Sequence, residues 1–155
     1  MPGMAVAALV VLLDQASKWL AFTQLEPYEP LRLLPFLNLT LAFNPGAAFS
    51  LLADGGGWQR WLFIAIALAI SGYLLQWLRS LPRSDRLQLA ALGSILGGAI
   101  GNLIDRVHLG VVIDFIDAHY AGAHWPAFNV ADAAITVGVA GILYSVLRDS
   151  RSCRR

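Results

Sequence analysis

Apolar residues along the chain form four long runs, separated by shorter segments that are richer in polar residues and proline. Each run has or approaches the roughly 20 residues that a helix needs to cross a bilayer, so they predict four transmembrane helices, at residues 4–22, 58–78, 87–104 and 130–147. The connection 23–57 alternates apolar and polar residues in "EPLRLLPFLNLTLAFN", and the connection 107–129 begins with "VVIDFI". Both patterns favour short β-strands. The predicted fold is an α-helical membrane protein, a single polytopic domain over 1–155 whose two longer connections form a small, partly β-structured platform.

The composition supports this fold class. Hydrophobic residues make up 57% of the chain, charged residues 14%, and the mean hydropathy is +0.62, whereas a soluble domain carries about 25% charged residues. The first run continues through Asp14 and Lys18 without a cleavage site, and its leader "MPGM" has no basic residue, so we expect a retained helix rather than a signal peptide. Cys153 is the single cysteine, which excludes an internal disulfide.

The basic residues are distributed unequally between the two sides of the predicted membrane. Four spans place both termini on the same side as the 79–86 connection. That side holds seven of the eleven basic residues, namely Arg79, Arg83, Arg86, Arg148, Arg151, Arg154 and Arg155. The positive-inside rule therefore predicts cytoplasmic termini and periplasmic segments at 23–57 and 107–129. Since the arginines follow the topology, they give no indication of a nucleic-acid partner.

Polar residues in and beside the spans concentrate toward the predicted periplasmic side. Asp14 lies about 15 Å along the first span at 1.5 Å per residue, and Lys18 is one turn further on the same face. The third span ends in the sequence Asn102, Asp105, Arg106, and Asn129 and Asp132 stand at the start of the fourth. Ionisable groups within a bilayer are costly and mark functional sites or buried ion pairs. We therefore expect one polar cluster near the periplasmic leaflet.

Glycines in the third span predict how that cluster is brought into the protein interior. Gly93, Gly97 and Gly101 recur every four residues, and a second row holds Ser94, Gly98, Asn102 and Arg106. Small residues at this spacing let helix backbones approach closely in lipid. Tight packing along this seam would carry Asn102, Asp105 and Arg106 into the bundle.

Two neighbouring carboxylates suggest a chemistry that needs neither metal nor cofactor. Like charges a few Å apart cannot both ionise cheaply, so the pair shares a proton. The ionised member activates water and the protonated member donates to a carbonyl, as in aspartic peptide hydrolysis. Asp14 beside Lys18 and Asp105 beside Arg106 are interpreted as charge-paired structural acids.

The remaining aspartates have several interpretations. Asp114 and Asp117 are three apart in an extended run, which places them on opposite faces, while Asp54 in "ADGGGW" indicates a solvated turn. Asp132 follows Asn129 at the spacing of a helix N-cap. Spacing alone leaves open which two carboxylates meet.

Two other classes of function are also compatible with these residues. A proton-coupled transporter would also use intramembrane carboxylates, and a non-catalytic assembly subunit would use them as charge partners. A metal site is not expected, because His108, His119 and His124 do not have zinc-ligand spacing and are interpreted as interfacial side chains.

Five sequence blocks together resemble the bacterial lipoprotein signal peptidases, or signal peptidase II. They occur in the family's order and are "DQASK" (14–18), "NPGAAFS" (44–50), "GNLIDR" (101–106), "VVIDFID" (111–117) and "FNVADAAI" (128–135). The resemblance implies an aspartic endopeptidase of the bacterial inner membrane, with no cofactor. Such an enzyme cleaves a prolipoprotein before the cysteine that carries a diacylglyceryl group.

The resemblance also implies roles for individual residues. Asp114 and Asp132 match the catalytic aspartates. The supporting or substrate-binding positions are Asn44, Gly46, Asn102, Arg106, Asn129 and the first-span pair Asp14 and Lys18. Inhibitors of the globomycin type are expected to act at the dyad, and membrane lipid to surround the helices. Pro45 is expected to stiffen its loop, and Asp117, without a catalytic counterpart, is expected to be a solvated or supporting acid.

Overall fold

Four helices of 23 residues dominate the structure. The computed structural model describes residues 2–46 and 56–152, with side chains as far as Arg148 in the last helix. The helices are α1 (Pro2–Gln24), α2 (Trp58–Ser80), α3 (Arg86–His108) and α4 (Val130–Ser152). All four are long and apolar enough to cross a membrane, and each contains one of the predicted spans. The predicted α-helical membrane fold is confirmed, whereas the predictions at Asp54, Cys153 and residues 47–50 lie outside the described residues.

Helix α3 is the centre of the bundle, because the other three helices all pack on it. Half of its most apolar membrane-spanning stretch is buried, against 11–22% for the corresponding stretches of the other helices. The common core consists of Leu89, Leu92 and Leu96 of α3 with Ala7, Leu74 and Leu78. The outer faces of the other helices present large apolar side chains such as Leu12, Trp61 and Val137, each about two-thirds exposed, which suits contact with lipid chains.

The glycine rows of α3 form the predicted packing seam. A Cβ atom at Gly93 would collide with the carbonyl oxygen of Gly3, and one at Gly97 would lie 2.7 Å from the carbonyl oxygen of Ala7. The second row faces α4, where a Cβ atom at Gly98 would collide with the Ala131 carbonyl oxygen. This close approach buries the polar end of α3, with Asn102 and Asp105 only 8% and 4% exposed.

Four antiparallel strands form the platform at the end of the bundle where α1 and α3 finish. In sheet order they are β1 (Leu31–Leu34), β2 (Leu37–Asn44), β3 (Val112–Tyr120) and β4 (Ala123–His124). The expected strands in both connections are therefore confirmed. In the β2–β3 register Ala42 pairs with Asp114 and Asn44 with Val112. The end of β2 thus brings Asn44 beside Asp114, directly after α3 has ended.

Candidate active site

The start of α4 is closed by a reciprocal pair of hydrogen bonds. The backbone N–H of Asp132 donates to Asn129 Oδ1 at 2.9 Å, and the backbone N–H of Asn129 donates to Asp132 Oδ2 at 3.4 Å. Asp14 of α1 adds a third contact, because its Oδ1 accepts the backbone N–H of Ala131 at 2.9 Å. The N-cap interpretation is confirmed. These bonds also fix the direction in which the Asp132 carboxylate points.

Asp114 lies on β3 with 3% of its surface exposed, and two amides hold its carboxylate. Asn129 Nδ2 donates to Asp114 Oδ1 at 2.7 Å, and Asn44 Nδ2 donates to Asp114 Oδ2 at 3.0 Å. Asn44 Oδ1 itself accepts the backbone N–H of Gly46 at 3.0 Å, which is an Asx turn. Because the amide oxygen is occupied by this turn, its nitrogen must face Asp114.

Two asparagines connect Asp114 with Asp132. Asn102 Nδ2 donates to Asp132 Oδ1 at 2.8 Å, and Asn129 Nδ2 lies 3.2 Å from Asn102 Oδ1. The chain of hydrogen bonds therefore runs from Asp114 through Asn129 and Asn102 to Asp132. The structure thus joins two carboxylates from separate elements, β3 and α4, for which spacing alone indicated no partner.

Both carboxylates line one cavity of about 980 Å³. Asn44, Asn102 and Arg106 supply the rest of its polar surface. The other walls are largely apolar and are formed by Tyr28, Phe43, Trp125, Phe128, Ile135 and Val137, among others. Such a cavity can hold an extended apolar chain with a peptide group against the carboxylates.

The electrostatic environment of Asp114 favours proton sharing. Burial, and then the negative charge of Asp132, raise the pKa of Asp114 to about 6, although the hydrogen bonds from Asn44 and Asn129 act in the opposite direction. Both carboxylates line the same cavity, where the charge on Asp132 disfavours ionisation of Asp114. The pair can therefore retain a proton at pH values where an isolated aspartate is fully ionised.

Comparison with known proteins identifies the family. Residues 6–148 match the family model described as Signal peptidase (SPase) II. The chain belongs to this family. Curated relatives include the lipoprotein signal peptidases of Polynucleobacter necessarius, 54% identical over 95% of this chain and 90% of that one, and of Acinetobacter baylyi, 49% identical over 87% and 75%. The chain is accordingly an aspartic-type peptidase embedded in a membrane.

Solved structures agree with this assignment. A bacterial membrane enzyme determined by the in meso method at 2.3 Å has a TM-score of 0.86, with 33% identity over 96% of this chain and 88% of that one. A second, at 1.9 Å, has a TM-score of 0.82, with 32% identity over 95% of this chain and 93% of that one. The four-helix bundle and its sheet therefore have counterparts in solved bacterial membrane enzymes.

In this family member, Arg106 ties the Asn44 turn to α3. Its Nη2 donates to the carbonyl oxygen of Gly46 at 3.0 Å and its Nη1 to that of Asn102 at 3.3 Å, while the guanidinium lies 5.2 Å from the ring centroid of Phe63. The predicted pairing of Asp105 with Arg106 is wrong. Adjacent residues on a helix do not face each other, and the Asp105 carboxylate instead turns toward α1.

Lys18 is the partner of Asp105. The Lys18 Nζ atom lies 2.9 Å from Asp105 Oδ2, 2.8 Å from Asp14 Oδ2 and 2.9 Å from Asn102 Oδ1. The predicted Asp14–Lys18 pair is confirmed, and the Lys18 side chain is 2% exposed. Asp105 Oδ2 also accepts the backbone N–H of Ile113 at 3.1 Å. Asp14, Lys18 and Asp105 thus form a buried layer directly behind the residues that line the cavity.

Sequence analysis missed two supporting residues of this region. Gln15 Nε2 donates to Asp105 Oδ1 at 3.0 Å and lies 3.2 Å from the Gly101 carbonyl oxygen. Arg60 of α2 donates from Nε and Nη2 to the carbonyl oxygens of Arg106 and Val107, both at 2.8 Å, and so satisfies the end of α3. The signal in both cases was one polar residue at or inside an apolar run, which indicates burial but no partner.

A second polar cluster supports the platform on the other side of β3. Asp117 is 7% exposed, with Asn38 Nδ2 and His124 Nδ1 each 2.8 Å from its carboxylate oxygens. Burial raises the pKa of Asp117, but these hydrogen bonds and the nearby imidazoles outweigh it and bring the pKa below its usual value. Asp117 is therefore a supporting acid and not a solvated one. Among residues 2–46 and 56–152, no cluster of His, Cys, Asp and Glu has the arrangement of a metal site.

Proposed function

We propose that Asp114 and Asp132 form the catalytic dyad of a lipoprotein signal peptidase. The substrate is a prolipoprotein, and the bond cleaved precedes the cysteine that carries the diacylglyceryl group. The observation that carries the proposal is that both carboxylates line one cavity while being joined through Asn129 and Asn102. The substrate class is supported by the relatives, which are named lipoprotein signal peptidases.

The reaction uses one proton held by the pair. The water oxygen attacks the scissile carbonyl carbon while the ionised carboxylate, the first of the pair, accepts a proton from that water molecule. The protonated carboxyl, the second of the pair, donates its proton to the carbonyl oxygen. The resulting gem-diol collapses when the first carboxyl protonates the leaving nitrogen and the C–N bond breaks. As this bond breaks, the second carboxylate recovers its proton from one hydroxyl of the diol, whose oxygen becomes the carbonyl oxygen of the new carboxylic acid. The products are a carboxylic acid and the free amine of the lipidated cysteine.

The surrounding side chains orient this chemistry. Asn44 and Asn129 direct N–H donors at Asp114, and Asn102 directs one at Asp132, so each carboxylate keeps its direction while its charge changes. Arg106 holds the turn at Gly46 against this site. The apolar walls provide a surface for the signal peptide and lipid chains, and globomycin-type inhibitors would compete for the same cavity.

We further propose that both termini are cytoplasmic and that the dyad lies near the periplasmic leaflet of the inner membrane. The arginines at the ends of α2 and α4 and at the start of α3 occupy the end of the bundle opposite the platform, which supports this orientation. A reporter domain of the type that is active only in the cytoplasm should then be active when it is fused after Arg155, and a reporter that is active only in the periplasm should not. Periplasmic activity of that fusion would refute the orientation.

The dyad is tested by cleavage of a diacylglyceryl-modified prolipoprotein with purified protein in detergent. Asp114→Asn and Asp132→Asn should each lower kcat by at least about a thousandfold, since acid–base catalysis contributes up to 10⁴-fold, with folding intact. Asp117→Asn is the matched control, because it alters a buried carboxylate on the same strand that faces away from the cavity. If either dyad variant cleaves at the wild-type rate, the assignment fails.

A further inference from the structure

The Asn102 amide can satisfy its neighbours in only one orientation. Its Oδ1 faces the Lys18 ammonium at 2.9 Å, and its Nδ2 faces Asp132 Oδ1 at 2.8 Å. An ammonium only donates hydrogen bonds and an ionised carboxylate only accepts them. A reversed amide would oppose N–H to N–H on one side and oxygen to oxygen on the other. The ammonium, which makes the shorter of the two bonds to this oxygen, therefore determines with Asn129 Nδ2 which end of the amide Asp132 meets.

The ammonium itself has no freedom to turn. Its three N–H donors match three acceptors, one each on Asp14, Asp105 and Asn102. Both carboxylates are anchored through their other oxygens, Asp14 by the backbone N–H of Ala131 and Asp105 by Gln15 Nε2. These anchors lie on α4 and α1, so the position of the Lys18 charge is set by three helices.

We infer that Lys18 is a positioning residue for the hydrolysis, which acts by holding the Asn102 amide with its N–H directed at Asp132. This inference rests on the proposed role of Asp132 in the dyad. The short bond from Asn102 at 2.8 Å keeps Asp132 Oδ1 an acceptor, whereas Asp132 Oδ2 accepts only the longer bond from the Asn129 N–H at 3.4 Å and is the oxygen of Asp132 at which the shared proton can sit. Without the ammonium, only the longer contact from Asn129 Nδ2 at 3.2 Å holds the Asn102 oxygen. The amide then reverses more readily and presents its oxygen to Asp132, which would favour a proton on Oδ1 and remove the general base. Lys18 does not line the cavity, and its direct hydrogen bond to a residue that does is the one to Asn102.

The test removes the ammonium without adding a net charge to the buried layer. Lys18→Met combined with Asp14→Asn deletes one positive and one negative charge, and it keeps Asp105 with its bonds from Gln15 and Ile113. In the prolipoprotein cleavage assay we expect kcat per folded enzyme to fall about tenfold to hundredfold, the range for losing one charge-assisted hydrogen bond. KM should change by less than about twofold, because no residue of the cavity wall is altered.

A double-mutant cycle decides whether the effect passes through Asn102. Asn102→Ala should lower kcat by a similar factor, and adding the paired substitution to Asn102→Ala should lower it no further than about twofold. If the two losses multiply, or if the paired variant keeps the wild-type kcat, the inference is overturned. Should the Lys18→Met pair not fold, Lys18→Gln with Asp14→Asn takes its place in the same cycle, and the same non-additivity is expected.

A control separates positioning from general stability. Gln88 Nε2 donates to the Ser145 hydroxyl at 3.1 Å between α3 and α4, at the opposite end of α3 from Asn102. Ser145→Ala should lower Tm while leaving kcat per folded enzyme unchanged. A fall in its kcat equal to that of the Lys18 pair would overturn the positioning role. Failure of the dyad itself is a distinct outcome, because only wild-type cleavage by Asp114→Asn or Asp132→Asn would indicate it.

Discussion

Replacing Gly101 with alanine would insert a methyl group between α1 and α3 at the Asp14 carboxylate. The added Cβ atom would collide with Asp14 Oδ2 and lie 3.1 Å from Asp14 Cγ and 3.4 Å from Ala131 Cβ. An ordinary contact needs about 3.5 Å, so Asp14 has to shift by about 1 Å. Its bonds to Lys18 at 2.8 Å and to the Ala131 N–H at 2.9 Å would then exceed hydrogen-bonding distance.

The expected cost combines strain with lost contacts. Overpacking costs about 1–3 kcal/mol and a hydrogen bond to a charged group contributes about 1.5–3 kcal/mol, so Gly101→Ala should lower the free energy of unfolding by about 2.5–6 kcal/mol even when only one of the two bonds is lost. Because Asp14 holds the first turn of α4, the Asp132 carboxylate moves with it. Displacements of this size cost up to about a hundredfold in rate, and we expect a fall in kcat of about tenfold or more.

Two other glycines provide matched controls in detergent unfolding and prolipoprotein cleavage. A Cβ atom at Gly138 would lie 2.6 Å from the Ala91 carbonyl oxygen, between α3 and α4 but remote from the acids, whereas a Cβ atom at Gly72 meets no heavy atom within 4 Å. Gly138→Ala should lose stability but keep kcat, and Gly72→Ala, in open space within α2, should keep kcat and lose no stability. Wild-type stability and turnover in Gly101→Ala would refute the close approach. An equal loss of kcat in Gly138→Ala would show that the lower kcat of Gly101→Ala comes from general loss of helix packing and not from displacement of Asp14.

Two further substitutions test the electrostatics of the site and of the platform. Asn44→Ala removes an N–H that favours ionised Asp114, so the pKa of Asp114 should rise further above its present value of about 6. The acidic limb of the pH–rate profile should therefore move to higher pH, with kcat lowered about tenfold. An acidic limb that stays at the same pH would contradict this. Asp117 has a pKa below its usual value near 3.8, so its stabilising contribution is present above that pH and is lost as the pH falls through the folded-state pKa. Asp117→Asn should therefore lower Tm at pH 7 but much less at pH 3, and equal losses at both pH values would show that the carboxylate charge is not responsible.

The local features of the fold could be predicted from the sequence because they depend on neighbours along the chain. Runs of about 20 apolar residues define the spans, and the Asp14–Lys18 pair follows from one helical turn. The partner of Asp105 could not be found in this way. It depends on the rotation of α3 about its axis, which the glycine seam fixes against α1, so Asp105 meets Lys18 and not its neighbour Arg106.

The site required contacts between distant segments. Spacing identified the acids but not that Asp114 and Asp132 share a cavity, because this depends on the return of the chain from β3 to the start of α4. The resemblance supplied Asn44 and Gly46, and the structure adds the physical reason, an Asx turn that directs the Asn44 amide at Asp114. Asp117 had no predicted partner, since Asn38 reaches it only through the pairing of β2 with β3.

Helix α3 is held by neighbours on three sides and carries Asn102 and Arg106. A helix packed in this way cannot rotate or slide without disturbing several close-packed interfaces at once. The Asn102 amide and the Arg106 guanidinium therefore keep their positions when a lipidated substrate binds. Adaptation to different signal peptides then falls to the side chains of the apolar walls, such as Tyr28, Phe43 and Trp125. Exchanging those aromatic residues should alter which signal peptides are bound, whereas the rate of the hydrolytic step should be the same in all such variants.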